Sequence, residues 1–336
     1  MRILIVRLGA LGDIVHALPA AAALRDTWPE SRIEWLVDAR HRHILELVPV
    51  IDERVLLPVS IRAQLGVVSA LRQRHYDVAV DLQGLIKSAM LARAAGARRT
   101  AGFRASQLRE KPAGLFYTEA HGSADARHVV RKNLALVRAL GARDGEPRFP
   151  LRVPSSPVTG AVSTFPGLGA GVPFALLIAG AAWPNKRWPP ERFGGVAAAL
   201  RDRHRLASVV VWGPGEERLA QAAVESSRGA AHAAPPTSIH DLVALTAEAA
   251  LVVGGDTGPL HIGVALGRPV VAIHGPTSPV RNGPLTQDDA VVSRSDVCRC
   301  HHQRRCTADQ WCLDDIGVED VMNAIERRLA RTNGAR

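Results

Sequence analysis

Leu251-Val252-Val253-Gly254-Gly255-Asp256-Thr257-Gly258-Pro259-Leu260-His261 decides how the rest of this chain is read. An apolar run closes on two glycines. An acid, a hydroxyl and a third glycine follow before Ile262-Gly263-Val264-Ala265-Leu266 resumes as a helix. A buried strand that breaks at glycines and restarts as a helix leaves the first backbone N–H groups of that helix without partners. Those groups and the helix dipole favour an anion such as a phosphate. Asp256 and Thr257 also stand where helix caps are favoured, so capping alone accounts for either residue. His261, four residues after Thr257, adds a third polar group one turn into the helix. A cap needs no such group.

The strand, glycine and acid theme recurs outward from this stretch. Ile3–Arg7 reads as a strand, Leu8-Gly9-Ala10-Leu11-Gly12-Asp13 as a glycine-rich turn, and the chain through Arg25 as a helix. The full G-x-G-x-x-G dinucleotide pattern is missing. Strands are expected at Ile33–Val37, Val55–Pro58 and Val78–Leu82, with helices at His41–Val48, Arg62–Arg74, Gly84–Ala95 and Val129–Leu140. Thr100–Arg109 reads as a basic loop, and Arg148–Val153 as a strand near a boundary. A second series then expects strands at Phe174–Ala179, Ala207–Trp212, Leu251–Val253 and Pro269–His274. Its helices are Pro190–Arg203, Glu216–Ser227, Ile239–Ala249 and Val318–Thr332. Alternation of this kind predicts an α/β protein with parallel sheets covered on both faces. The expected organisation is an N-terminal Rossmann-like domain over 1–155, a Pro-, Gly- and Ser-rich linker over 156–173, a C-terminal domain over 174–315 and a closing helix over 316–336. Ligands of open parallel sheets sit beyond the carboxyl ends of the strands, so a cleft between the two sheets is the expected place for chemistry.

Composition narrows the class. The chain has 336 residues, 47% hydrophobic and 22% charged, which excludes wholesale disorder and allows two real cores. No stretch approaches the ~20 uninterrupted apolar residues of a membrane span. The opening apolar run stops at Arg7, too soon for a signal peptide, and predicts a cytoplasmic protein. The formal charge of +10 suits a polyanionic partner, although an arginine-rich composition has other origins. With aromatics at 4% and no zinc-finger or RNA-binding signature, nucleic acid is not the expected partner. Cys298, Cys300, Cys306 and Cys312 cluster beside His301 and His302. In the cytosol these are reduced thiols or a structural zinc site, not disulfides.

Three further constellations carry charge at strand ends. Asp13, with His16 one turn later, lies past the first strand, where a carboxylate can take a proton from a substrate hydroxyl or simply cap a helix. Gly180-Ala181-Ala182-Trp183-Pro184-Asn185-Lys186-Arg187-Trp188-Pro189 sets two cations between tryptophans, a loop able to grip a diphosphate, and it is not a Walker loop. Trp212-Gly213-Pro214-Gly215-Glu216-Glu217 offers a carboxylate for ribose hydroxyls or for a helix start. No hydrolase elbow or H-E-x-x-H helix occurs. Group transfer from a nucleotide donor fits this pattern better than hydrolysis through a covalent nucleophile.

Four stretches, taken in order, resemble the ADP-heptose:lipopolysaccharide heptosyltransferases of glycosyltransferase family 9. They are Arg7–Asp13, Asp81-Leu82-Gln83-Gly84-Leu85-Ile86-Lys87-Ser88, Lys186–Pro189 and Gly255–His261. Arg109-Glu110 with Leu115-Phe116-Tyr117 is similar to heptosyltransferase I. The resemblance implies a two-domain GT-B fold, with the acceptor bound by the N-terminal domain, the nucleotide sugar by the C-terminal domain and the helix over 316–336 packing back toward the N-terminal domain, and inverting transfer of heptose from ADP-L-glycero-D-manno-heptose to the Kdo of lipid A, with no metal needed for catalysis. It implies Asp13 as general base and Lys186 as the neutraliser of the leaving diphosphate. Donor contacts fall at Lys186, at Glu216 or Glu217, and at Thr237, Asp256, Thr257, Gly258 and His261. Acceptor contacts fall at Arg62, Lys87, Arg109 and Lys132. The implied partners are ADP-heptose, Kdo-lipid A and the cytoplasmic face of the inner membrane. Ala181 and Ala182 depart from the family's phosphate-contacting hydroxyls. The cysteine-bearing tail with Trp311-Cys312-Leu313 is closer to enzymes that add the second heptose, so both acceptors stay open.

Overall fold

Each half of the chain builds one six-stranded, all-parallel sheet in the computed structural model, which describes residues 1–123, 126–301, 303–304, 306, 308 and 311–334. The chain divides into two units at Arg152 and Val153. In the first unit the strands are β1 (Arg2–Val6), β2 (Arg32–Asp38), β3 (Glu53–Leu57), β4 (Val78–Asp81), β5 (Arg99–Phe103) and β6 (Glu119–His121). Its helices are α1 (Leu11–Thr27), α2 (Arg42–Leu45), α3 (Ile61–Arg72), α4 (Ile86–Ala94) and α5 (Val129–Ala139). The sheet order is β3-β2-β1-β4-β5-β6, with Val6 level with Leu36 on one side and Asp81 on the other. Strand β1 is central and its residues from Ile3 to Val6 are fully buried, as an apolar run in a sheet covered on both faces must be. Helix α1 buries every residue from Ile14 to Ala22, since it lies over the sheet and under α5.

The second unit runs α6 (Pro157–Val162), β7 (Phe174–Ile178), α7 (Pro190–His204), β8 (Ala207–Val211), α8 (Glu217–Glu225), β9 (Ala231–Ala233) and α9 (Ile239–Glu248). It continues with β10 (Leu251–Gly255), α10 (Gly258–Ala265), β11 (Val270–His274), α11 (Pro279–Asn282), β12 (Ala290–Ser293) and α12 (Val318–Gly334). Its order, β12-β11-β10-β7-β8-β9, repeats the doubly wound plan. Helix α12 packs on α7, β11 and β12, and Val321, Met322, Ala324 and Ile325 are fully buried in this unit's core.

Several elements differ from expectation. The loop expected at Thr100–Arg109 opens as β5, because Gly102 admits the Tyr117 ring; a Cβ there would stand 2.2 Å from it. Arg148–Val153 does not pair as a strand. The short outer strands β6, β9 and β12 have too few residues to show a period in sequence. Residues 157–162 fold as α6, capped by the Ser156 hydroxyl and laid against α9, within a stretch whose composition reads as linker.

Candidate active site

Parallel strands put all their carboxyl ends on one edge of a sheet, and that edge is where α/β proteins bind ligands. In the first unit it is built by the turns after β1, β3, β4 and β5. Arg7 leaves β1 with a buried guanidinium. Its Nη1 donates to the Leu82 carbonyl at 2.6 Å and its Nη2 pairs with Asp13 Oδ1 at 2.7 Å. Asp13 Oδ2 accepts from the Ala10 N–H at 3.3 Å. The Asp13 side chain is 41% exposed while Arg7 is 7% exposed, so the carboxylate is tethered from behind and open in front. His16, considered with it in sequence, is buried against His128 of the α5 start, ring to ring at 5.9 Å, and is a packing residue between α1 and α5.

The turn after β4 is pinned by Asp81, which is fully buried. It accepts from the Gln83 N–H (2.8 Å), the Gly84 N–H (3.2 Å), Ser88 Oγ (2.9 Å) and Tyr117 Oη (2.8 Å). Burial pushes its carboxyl above the usual range despite those four donors. Gln83 Oε1 accepts from the Leu8 N–H at 2.8 Å and ties this turn to the one bearing Asp13. Three of the expected acceptor cations gather here. Lys87 is exposed on the first turn of α4, and Glu110, next to the exposed Arg109, accepts from the neighbouring Ile86 N–H at 2.8 Å. Lys132 donates to the Gln107 carbonyl at 2.7 Å and lies over the Phe103 ring at 4.4 Å. Arg62 stands apart, exposed on α3.

In the second unit the edge is formed by the turns after β7, β8, β10 and β11, and its centre is a buried ion cluster. Lys186 Nζ meets Asp256 Oδ2 at 2.7 Å and the Asp256 carbonyl at 3.2 Å. His261 Nε2 donates to Asp256 Oδ1 at 3.0 Å, and Asn282 Nδ2 donates to Asp256 Oδ2 at 3.4 Å. Burial alone pushes the Asp256 carboxyl up. The His261 hydrogen bond and the charges of His261, Lys186 and His274 outweigh it and hold the group well below the usual carboxylate range. Two buried hydroxyls on this edge, Thr257 Oγ1 and Thr277 Oγ1, have no hydrogen-bond partner among the described residues, and His274 is fully buried with the Thr277 backbone beside its ring. Thr257 occupies the cap position of α10, yet its hydroxyl caps nothing. A helix start carrying an uncommitted hydroxyl, free N–H groups and a lysine is a place for a bound oxyanion.

The two glutamates divide. Glu216 turns inward, its Oε2 accepting from the Gly213 N–H at 3.0 Å, with Arg187 3.9 Å from Oε1. A Cβ on Gly180 would fall 2.0 Å from Glu216 Oε2, so only glycine fits where β7 ends. Glu217 is exposed on the first turn of α8. Thr237 is half-buried on the loop between β9 and α9. Trp188 anchors the Lys186 loop from below: it is buried on Phe193 and its Nε1 donates to the Ile316 carbonyl at 2.9 Å. Sequence reading missed His274, Thr277 and Asn282. His274 looked like the last residue of a strand, and its one clue was a titratable group at a carboxyl end, as with Asp81.

The cysteines form a buried to half-buried thiol cluster rather than disulfides. Cys298 and Cys300 sulfurs lie 3.5 Å apart, and Asn185 Nδ2 reaches Cys300 Sγ at 3.5 Å. Burial, then the neighbouring thiols, push Cys312 up to about 12. Among the described residues no group of three or more His, Cys, Asp or Glu is arranged to hold a metal ion. His302 lies outside the described residues.

The profile of glycosyltransferase family 9 (heptosyltransferase) matches residues 65–312. A Pseudomonas aeruginosa protein named lipopolysaccharide heptosyltransferase 1 is 26% identical over 319 residues, covering 91% of this chain and 88% of that protein. The Escherichia coli lipopolysaccharide heptosyltransferase 2 is 27% identical over 313 residues, covering 87% and 88%. The solved E. coli heptosyltransferase WaaC with ADP superposes with a TM-score of 0.75 at 24% identity, covering 98% of each chain, and carries the same two-sheet GT-B architecture.

Proposed function

This chain belongs to glycosyltransferase family 9, and from that premise we propose that it is an inverting heptosyltransferase, moving heptose from ADP-L-glycero-D-manno-heptose to the Kdo of a lipid A acceptor. The observation that carries the reading is the Lys186, Asp256 and His261 cluster with an idle Thr257 hydroxyl at the start of α10. An ammonium has three donor hydrogens. Asp256 engages two through its carboxylate and its carbonyl, and the third remains for a phosphate oxygen. Asp256 is nearly saturated by Lys186, His261 and Asn282, so it acts chiefly as a positioning group for the lysine and leaves little capacity for sugar hydroxyls. Glu216, inward and beside Gly180, is assigned to the ribose in preference to the exposed Glu217, with Thr237 near the adenine.

In the reaction the acceptor hydroxyl oxygen bonds to C1 of the heptose and its proton passes to Asp13. The C1–O bond to ADP breaks, its electron pair going to the β-phosphate. Lys186, Thr257 and the Gly258 N–H meet that charge as it grows. Arg62, Lys87, Arg109 and Lys132 are assigned to the carboxylates and phosphates of the acceptor. Incubation with ADP-heptose and Kdo-lipid A, followed by mass spectrometry, is expected to show the mass gain of one heptose and matching ADP release. The near-equal identities to heptosyltransferases 1 and 2 keep a second reading, an already heptosylated acceptor. Turnover on that acceptor alone selects it, and ADP release with neither acceptor sinks both.

A further inference from the structure

A backbone N–H that leaves the end of a buried strand needs a partner, because an unpaired buried amide is costly. Leu8 is such a residue. It follows β1 and is 7% exposed, and its N–H finds the Gln83 side chain instead of a neighbouring strand. An N–H offers only a hydrogen, so the amide atom facing it at 2.8 Å is the Gln83 oxygen. The planar amide is thereby fixed in orientation, with its NH2 group turned away from Leu8. Gln83 is half-buried, and among the described residues neither hydrogen of Nε2 meets a protein acceptor.

The surroundings of this amide are firmly set. Asp81 accepts from both the Gln83 and the Gly84 N–H groups, which fixes the backbone that bears the side chain. The Leu82 carbonyl and Asp13 Oδ1 are held by the two terminal nitrogens of the one Arg7 guanidinium, at 2.6 and 2.7 Å. Gln83 follows Leu82 directly, so its uncommitted NH2 group and the Asp13 carboxylate share a short stretch of the same sheet edge. On the other flank the His41 ring fills the space beside Gly9, where a Cβ would stand 2.7 Å from it. The turn from Leu8 to Asp13 is gripped from both sides.

We propose that Gln83 is a specificity-determining contact for the acceptor, an inference that rests on the transfer reaction assigned above. Its Oε1 positions the turn bearing Asp13, and its Nε2 donates to a neutral oxygen of the acceptor sugar, a hydroxyl or a ring oxygen. Charge decides the kind of oxygen. A carboxylate held this close to Asp13 would be repelled by it, and a protein cation here would pair with the base. A neutral donor therefore matches a neutral acceptor atom, and the anionic groups of the acceptor fall to the exposed Lys87 and Arg109. One fixed hydrogen bond beside the attacking hydroxyl turns the sugar so that this hydroxyl, out of several, faces Asp13.

Steady-state transfer from ADP-heptose to Kdo-lipid A by the wild type, Gln83→Glu and Gln83→Met separates the two roles of the amide. An ionised glutamate keeps an oxygen for the Leu8 N–H and has no hydrogen to donate, whereas methionine keeps neither. Gln83→Glu is expected to hold the wild-type thermal midpoint and ADP affinity. It should raise the acceptor KM roughly tenfold or more, with a smaller change in kcat. Gln83→Met is expected to raise the acceptor KM likewise and also to lower the thermal midpoint, because the Leu8 N–H loses its partner. An unchanged acceptor KM in Gln83→Glu overturns the contact and leaves Gln83 as a clamp alone. A loss confined to kcat in that variant assigns the effect to the added charge beside Asp13 and overturns it too. If Gln83→Glu does not fold, Gln83→Met decides, and its unchanged acceptor KM overturns the proposal. Absence of transfer by the wild type to this or the heptosylated acceptor removes the reaction and the contact with it. Wild-type transfer with wild-type kinetics in Gln83→Glu removes the contact and leaves the reaction standing.

Discussion

Asp13 and Asp256 are both carboxylates at strand ends, and their surroundings set them to different work. Asp13 is tethered by Arg7 and the Ala10 N–H with one side in solvent, whereas Asp256 is buried and bonded on three sides. If Asp13 takes the acceptor proton, Asp13→Asn should cut transfer by about 10²–10⁴-fold while ADP binding by calorimetry stays unchanged; full turnover would remove Asp13 from that role. His274 gives a pH signature. Burial, only partly opposed by Asp256, pushes it from 6.5 to about 4. The unfolded chain therefore binds a proton that the folded one refuses between those values, and stability falls as pH drops from 6.5 to about 4, by on the order of 3 kcal/mol. Asp256 has the opposite arrangement: its lowered pKa stabilises the fold above its ordinary value of 3.8 and that gain is lost only below it. Thermal midpoints of wild type and His274→Asn across this window should diverge, the variant lacking the His274 slope. Parallel profiles would show that His274 titrates normally.

At the scale of elements, the turn after β7 shows how one small residue sets a binding edge. Gly180 leaves room for the Glu216 carboxylate, and a methyl group there would collide with it. Gly180→Ala is expected to swing Glu216 outward and weaken ADP binding about 10–100-fold, the loss of a hydrogen bond to a charged group, with little change in thermal midpoint. Unchanged affinity would dissociate Glu216 from the nucleotide. The long elements were legible because their periods are long: the apolar strands β1, β7, β10 and β11 and the helices α1, α5, α7, α9 and α12 all lie close to where the pattern placed them. β5 was not legible, since its glycine and threonine read as a loop until the Tyr117 ring that needs Gly102 is in view. His274 and Thr277 were hidden for a related reason: what marks them is burial beside Asp256 and, for Thr277, a hydroxyl without a partner, which a sequence does not display.

For the whole molecule, each unit has a buried apolar core of its own among the described residues. One centres on Leu4, Val6, Leu36 and Ala79, the other on Ala175, Leu177, Val253 and Ile273 with α12. Ile325 is fully buried in the second. Ile325→Ala should cost about 2–5 kcal/mol, and hydrogen exchange followed by mass spectrometry should show lost protection confined to residues 153–336. Loss of protection spread through 1–152 would mean that the units unfold as one. Among the described residues no helix is long and apolar enough to cross a membrane.

The sequence by itself determined the α/β class, the alternation of its long strands and helices and the four strand-end stretches that carry charge. Each of those is a local matter of period, glycine placement and capping chemistry. Tertiary structure alone decided which of Glu216 and Glu217 turns inward, that His16 packs between helices, and that Asp256 is spent on Lys186, His261 and Asn282. It also left Ile61 and Leu65, at the start of α3, exposed beyond the reach of the core that holds Val68. These are outcomes of distance between residues far apart in the chain, and no local pattern encodes which partners a folded side chain will meet.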